Sequence, residues 1–138
     1  MRLTINTNTQ ATDSSIEGLA NNTPAGIPDF YYGDKLNMEI RFSDGEGNIA
    51  DFQGQADNAI IVGIGTINDR NAMTTTGTFN LADGFYQALI DLDTDELKTA
   101  IGTQPSINLF LEIQISYADN TTETLCQQEI IMRNQIIK

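Results

Sequence analysis

Residues 106–138 read SINLFLEIQISYADNTTETLCQQEIIMRNQIIK, and the fold is decided there. Every odd position from Ile107 to Tyr117 is apolar: Ile107, Leu109, Leu111, Ile113, Ile115 and Tyr117. Asn108, Phe110, Glu112, Gln114 and Ser116 alternate with them. A period of two is that of a strand with one face buried. At about 3.3 Å per residue this strand reaches about 36 Å, long for a globular domain. Ala118–Thr121 (ADNT) supplies a turn, and a return strand is expected from Thr122 to about Arg133. Phe110, on the polar side, points to a covered surface. The tail 134–138 carries Ile136 and Ile137 beyond the paired region.

The strand pattern continues upstream. In KLNMEIRF (35–42), Leu36, Met38, Ile40 and Phe42 share one face. SDGEGN (43–48) follows with turn residues. NAIIVGIGTI (58–67) is a continuous apolar run with two glycines, consistent with burial or close backbone approach. TTTGTFNL (74–81) and GFYQALIDL (84–92) are joined through ADG, a hairpin signal. One short helix is expected near 94–101 in DTDELKTAIG. Asp93 or Thr94 would cap it, Asp95 and Glu96 suit its N-terminal end, and Gly102 closes it.

Residues 1–6 alternate weakly through Leu3 and Ile5, an expected edge strand. From Asn6 to Asp29 the chain is rich in Asn, Thr, Ser, Gly and Pro, with isolated Ile16, Leu19 and Ile27. That composition predicts an extended arm that orders on a neighbouring subunit. Removing residues 1–29 is then expected to leave a folded domain that no longer assembles. The expected organisation is an N-terminal strand and arm (1–29), then one β-sandwich domain (30–138) ending in the tail. The fold class is all-β and mainly antiparallel, immunoglobulin-like or jelly-roll-like.

Composition limits the chemistry. With 138 residues the chain suffices for one domain with its own core. Nineteen acidic against seven basic residues leave a net charge of −12. Such a balance argues against nucleic acid and anionic membranes as partners. No signal peptide or membrane span is evident, so synthesis in a cytoplasm is expected. Histidine is absent and Cys126 is the only cysteine, which removes the commonest general base, a disulfide and a thiolate zinc cluster.

The remaining candidates each have a simpler reading. Asp44, Glu46, Asn48 and Asp51 offer oxygens to calcium, yet an Asp-Gly turn explains them better. Gly63 and Gly65 lack the third glycine of a dinucleotide loop and suit a strand bulge or flat packing site. Asp91, Asp93, Asp95 and Glu96 could supply paired carboxylates for hydrolysis, but they sit where acids cap a helix. Phe30, Tyr31 and Tyr32 could stack on a sugar, or serve as a core lid or interface anchors. Cys126, mid-strand, reads as a buried thiol. No enzyme is expected, and no cofactor or metal.

Three stretches taken in order carry a resemblance: NNTPAGIPDFYYGDKLNMEIRF (21–42), GFYQALIDLDTDELKTAIG (84–102) and INLFLEIQISYADNTTETLCQQEIIMRNQII (107–137). Together they resemble small β-sandwich domains of bacteriophage and prophage tail-associated structural proteins, which attach fibres or baseplate parts to the virion. The resemblance lies in strands, turns and caps and spans about 100 residues of the chain. A fibre would continue past Lys138 into a shaft, so a short adaptor of the tail or baseplate is expected, located in the virion. A capsid decoration protein is the alternative, and a carbohydrate-binding module for host glycan a third reading. The implied partners are other virion proteins, in a homo-oligomer or symmetric array. Candidate subunit-interface residues are Ile16, Leu19, Ile27, Phe30, Tyr31, Tyr32, Ile136 and Ile137.

Overall fold

The hairpin forms as its alternation predicts, and the other strands assemble around it. The computed structural model describes residues 2–7, 12–15, 29–44, 46, 48–50, 52–53, 55, 58–66, 73–80 and 84–135. In chain order the elements are β1 (Arg2–Asn6), β2 (Thr12–Ser15), β3 (Phe30–Tyr31), β4 (Lys35–Ser43), β5 (Ala59–Gly65), β6 (Met73–Asn80), β7 (Phe85–Asp91), α1 (Asp95–Ile101), β8 (Ser106–Ser116) and β9 (Thr122–Arg133).

Hydrogen bonds link the strands in the order β2-β1-β4-β7-β6-β5-β8-β9-β3. The change of sheet falls within β6. Its first part pairs with β5, ending at Ile60 opposite Gly77, and its last part pairs with β7 from Thr78 opposite Gln87. One sheet is thus β2-β1-β4-β7 with the end of β6, the other the start of β6 with β5-β8-β9-β3. Buried residues of both sheets join in one cluster, so the two layers share a core: Leu3, Ile5, Met38, Ile40 and Ile90 from one, Ile60, Val62, Leu111, Ile113 and Ile130 from the other. With β4, β7 and β6 in the places of strands B, E and D, and β5, β8 and β9 in those of C, F and G, the order is the immunoglobulin one rather than a jelly roll. Most pairings are antiparallel, but β1 lies parallel to β4 and β3 parallel to β9, which makes both sheets mixed.

Local chemistry explains the elements. Leu109, Leu111, Ile113 and Ile115 of β8 are fully buried, while Ile107 and Tyr117 close the two ends of the core half-buried. In β5 Ile60, Val62 and Ile64 face the core, while on the other face Gly63 and Gly65 are buried and Ile61 is half-buried, as the apolar run predicts. Thr94 caps α1, its hydroxyl accepting from Leu97 N at 3.2 Å, with Asp95 and Glu96 in the first turn. Leu97 and Ile101 are buried, and Gly102 ends the helix at a φ of 54°, which an L side chain resists.

Two expectations fail at the N-terminus. β1 is not an edge strand, because β2 pairs along its outer side from Arg2–Ser15 to Ile5–Thr12. The stretch Asn6–Asp29 is therefore not loop throughout. Leu3 and Ile5 are fully buried, so deleting residues 1–29 would open the core instead of sparing it. Hydrogen bonds to the backbone of β4 and β2 hold this strand in place, a term that weak alternation over six residues does not reveal.

Candidate functional site

At one end of the sandwich the start of β3, the turn after α1 and the end of β9 converge. Alternation along β3 sends its two residues opposite ways. Phe30 is 2% exposed and belongs to the core, so its own chain covers it and it is a core lid rather than a free interface anchor. Tyr31 is 46% exposed. Tyr32 is half-buried against the core, and its hydroxyl donates to Asp93 Oδ1 at 3.3 Å. Loss of hydration, and then the neighbouring carboxylates of Asp93 and Asp95, hold the Tyr32 phenol above its ordinary pKa.

A polar clasp fixes this end. Arg133 Nε meets Asp29 Oδ2 at 2.7 Å, and Arg133 O accepts from Tyr32 N at 2.8 Å. Asn134 donates from its side chain to the carbonyls of Gly102 (3.3 Å) and Gln104 (3.1 Å), and from its backbone to Pro105 O at 2.9 Å. Gln135 Nε2 donates to Asp34 Oδ1 at 2.9 Å. Gly33 sits beneath that amide at a φ of 93°, where a Cβ would come within 3.3 Å of Gln135 Nε2. Between these parts lies a cavity of about 670 Å³, lined by Tyr31, the Gly102–Pro105 turn and Arg133–Gln135. It suits docking of a polar or peptide group: one aromatic face, a guanidinium and several amide carbonyls surround it.

The other candidates resolve into structure. Asp44 closes its own turn, Oδ1 accepting from Glu46 N at 2.9 Å and Asn48 N at 3.3 Å, and Oδ2 from Asn48 Nδ2 at 3.2 Å. The Glu46 amide first, and then the Asn48 side chain, lower its carboxyl pKa. Asp51 lies outside the described residues. Asp91 Oδ1 accepts from Asp93 N at 2.9 Å, and Asp95 and Glu96 face the helix N-terminus. Among the described residues no three groups of the Cys, Asp or Glu kind are placed to share a metal ion. Gly65 stands in register with Phe110, whose half-buried ring lies on the same face. Cys126 is buried, and burial pushes its thiol pKa up to about 11.

Of the expected interface residues, Tyr31 lines the cavity, Tyr32 bonds to Asp93 through its hydroxyl and to Arg133 O through its amide, and Phe30 is buried in the core. Ile16, Leu19, Ile27, Ile136 and Ile137 lie outside the described residues. Sequence reasoning passed over Arg133, Asn134 and Gln135, although polar residues directly after a strand and a Pro three residues past a helix-ending Gly are signals of a fixed turn. It also passed over Phe85, which is 5% exposed on the outward side of β7. The guanidiniums of Arg2 and Arg41 cover it at 4.6 and 4.2 Å from the ring centroid, and Arg2 reaches Glu39 at 3.2 Å. No protein-family model matches the chain, and no curated protein matches it.

Proposed function

We propose that the chain is a non-enzymatic structural protein of a phage virion, an adaptor of the tail or baseplate, or a fibre-attachment component, that acts by protein–protein assembly. One observation carries the reading. The residue that closes the arm, Asp29, and the residue that closes β9 before the tail, Arg133, are ion-paired at 2.7 Å beside the cavity. The residues at which the two segments meet the sandwich thus stand side by side. A neighbouring subunit seated at this end would meet Asp29, Arg133 and the cavity together. Identical copies in a symmetric array make modest single contacts adequate through multivalency.

The test keeps β1 intact. Residues 16–28 are replaced by a Gly-Ser linker of equal length and residues 136–138 are removed. The altered chain is expected to melt like the parent and to be missing from purified particles, as read by mass spectrometry. Normal incorporation defeats the proposal. Fractionating tails from filled heads separates the adaptor from the alternative of capsid decoration. Tyr31 at the cavity also favours the carbohydrate-binding reading: a glycan-array signal, taken with and without EDTA and abolished by Tyr31→Ala, would replace the adaptor as the leading function.

A further inference from the structure

The N-terminal hairpin is built as a separable piece with a specific seat. β1 pairs with β2 on one side and runs parallel to β4 on the other, from Arg2 opposite Glu39 to Asn6 opposite Ser43. Leu3 and Ile5 of β1 are fully buried in the shared core. Arg2 reaches Glu39 at 3.2 Å, and its guanidinium lies 4.6 Å from the centroid of the Phe85 ring. Thr7 donates to Ser43 O from its amide at 2.8 Å and from its hydroxyl at 3.0 Å. These polar contacts all fall on β4 and β7.

The covalent tie leads elsewhere. β2 stands at one end of the strand order, and the next strand in the chain, β3, stands at the other end in the second sheet. Thirteen residues, 16–28, join Ser15 to Asp29, which Arg133 holds. At full extension such a length reaches on the order of 45–50 Å, against a width of roughly 35–40 Å for a domain of this size. A hairpin tied in this way fits its own body and the identical seat of a neighbour with the same contacts. A neighbour held in an array presents that seat at the millimolar effective concentration that a short tether gives the chain's own.

We infer that β1 and β2 are exchanged between copies: the hairpin of one chain inserts beside β4 of the next. This rests on the assembly reading above and names a second copy of the chain as the partner. Leu3 and Ile5 enter the neighbour's core, while Arg2 on Glu39 and Thr7 on Ser43 fix the register. The net charge of −12 keeps free copies apart until they are concentrated.

The test uses full chains with one new cysteine each. Asn6→Cys and Ser43→Cys, in register on the outward face, are mixed in equal amounts, unfolded in urea, refolded together and treated with a short bismaleimide. Burial shields Cys126 in the folded chain. At micromolar concentration most hairpins should fill their own seats and few chains should be joined. Toward millimolar concentration the heterodimer should rise at least tenfold, with mass spectrometry placing the link between positions 6 and 43. One chain carrying both cysteines should link internally when dilute, which verifies the register. Asn6→Cys mixed with Asn37→Cys, about 20 Å further along β4, should give no link. The same series at Thr4 and Arg41, also in register, keeps the measurement decisive if the first pair disturbs folding.

A double variant that links internally while the mixtures never join would overturn the exchange. So would an equal yield from the Asn37 control, or a double variant that fails to link at both pairs of positions. Particles separate the two readings. If the double variant enters them and is linked only within single chains, exchange falls and the adaptor stands. If the arm-and-tail variant enters particles, the adaptor falls whatever the refolded mixtures show.

Discussion

Single residues here act chiefly through the water they lose and the turns they close. Tyr117 donates from its hydroxyl to Glu123 Oε2 at 2.9 Å, and burial followed by that carboxylate lifts its pKa to about 12. An unfolded tyrosine ionises near 10, so the unfolded chain releases this proton first as pH rises. The stability contributed by neutral Tyr117 is whole below pH 10 and is lost between 10 and 12. Tyr117→Phe should flatten that part of a urea-denaturation profile measured against pH. Cys126 follows the same logic on the kinetic side. With its thiol raised to about 11 and buried, reaction with a disulfide reagent at pH 8 should be slow in the native chain and fast in denaturant. Labelling at the unfolded rate without denaturant would show that β9 opens readily.

At the scale of elements, what was legible and what was not separate cleanly by cause. β4 and β8 were readable because a core face alternates with a more polar one, which writes a period of two into the residues, and β7 and β9 from the turn residues that precede them. α1 was readable from Thr94, its acidic first turn and Gly102. The pattern of β2 (TDSS) and β3 (FY) was not, because so short a strand is set by the backbone groups of β1 and β9 offered to it rather than by its own side chains. The change of sheet inside β6 was equally hidden, although its cause is one residue. A Cβ at Gly77 would stand 3.0 Å from Gln87 O and 3.2 Å from Ala88 Cβ, where β6 leaves β5 for β7. Gly77→Ala should therefore cost about 1–3 kcal/mol in urea denaturation, since the backbone of β7 is the atom that must yield. Thr94→Ala should cost about 1 kcal/mol by freeing the Leu97 amide, with the strands unaffected in a circular dichroism spectrum. The cavity end was half legible. Aromatics before a strand drew notice to Tyr31 and Tyr32, but pairing of Asp29 with Arg133, 104 residues apart, is a product of topology alone.

For the molecule as a whole, charge and turns pull stability in opposite directions with pH. Nineteen acids against seven bases repel one another in the compact state at neutrality. Protonating some of them as pH falls from 7 relieves that repulsion, so stability should rise at first. Asp44 and Asp119 resist the trend, because each carboxylate accepts hydrogen bonds that close a turn. For Asp119 the donors are the hydroxyl of Thr121 at 2.6 Å and its amide at 3.0 Å, and the hydroxyl is the larger cause of its lowered pKa. A carboxyl whose folded pKa is lowered contributes stability above its unfolded value, here 3.8, and loses it as pH falls through the folded one. The profile should therefore peak between about pH 4 and 6 and drop below that range. Salt should raise the melting temperature at pH 7 and matter less at the peak, because screening and protonation remove the same repulsion. The double variant Asp44→Asn and Asp119→Asn should leave the rise from neutrality in place and soften the acid drop. A melting temperature that declines steadily from pH 7 downward, at low salt, would assign control of stability to paired carboxylates rather than to net charge.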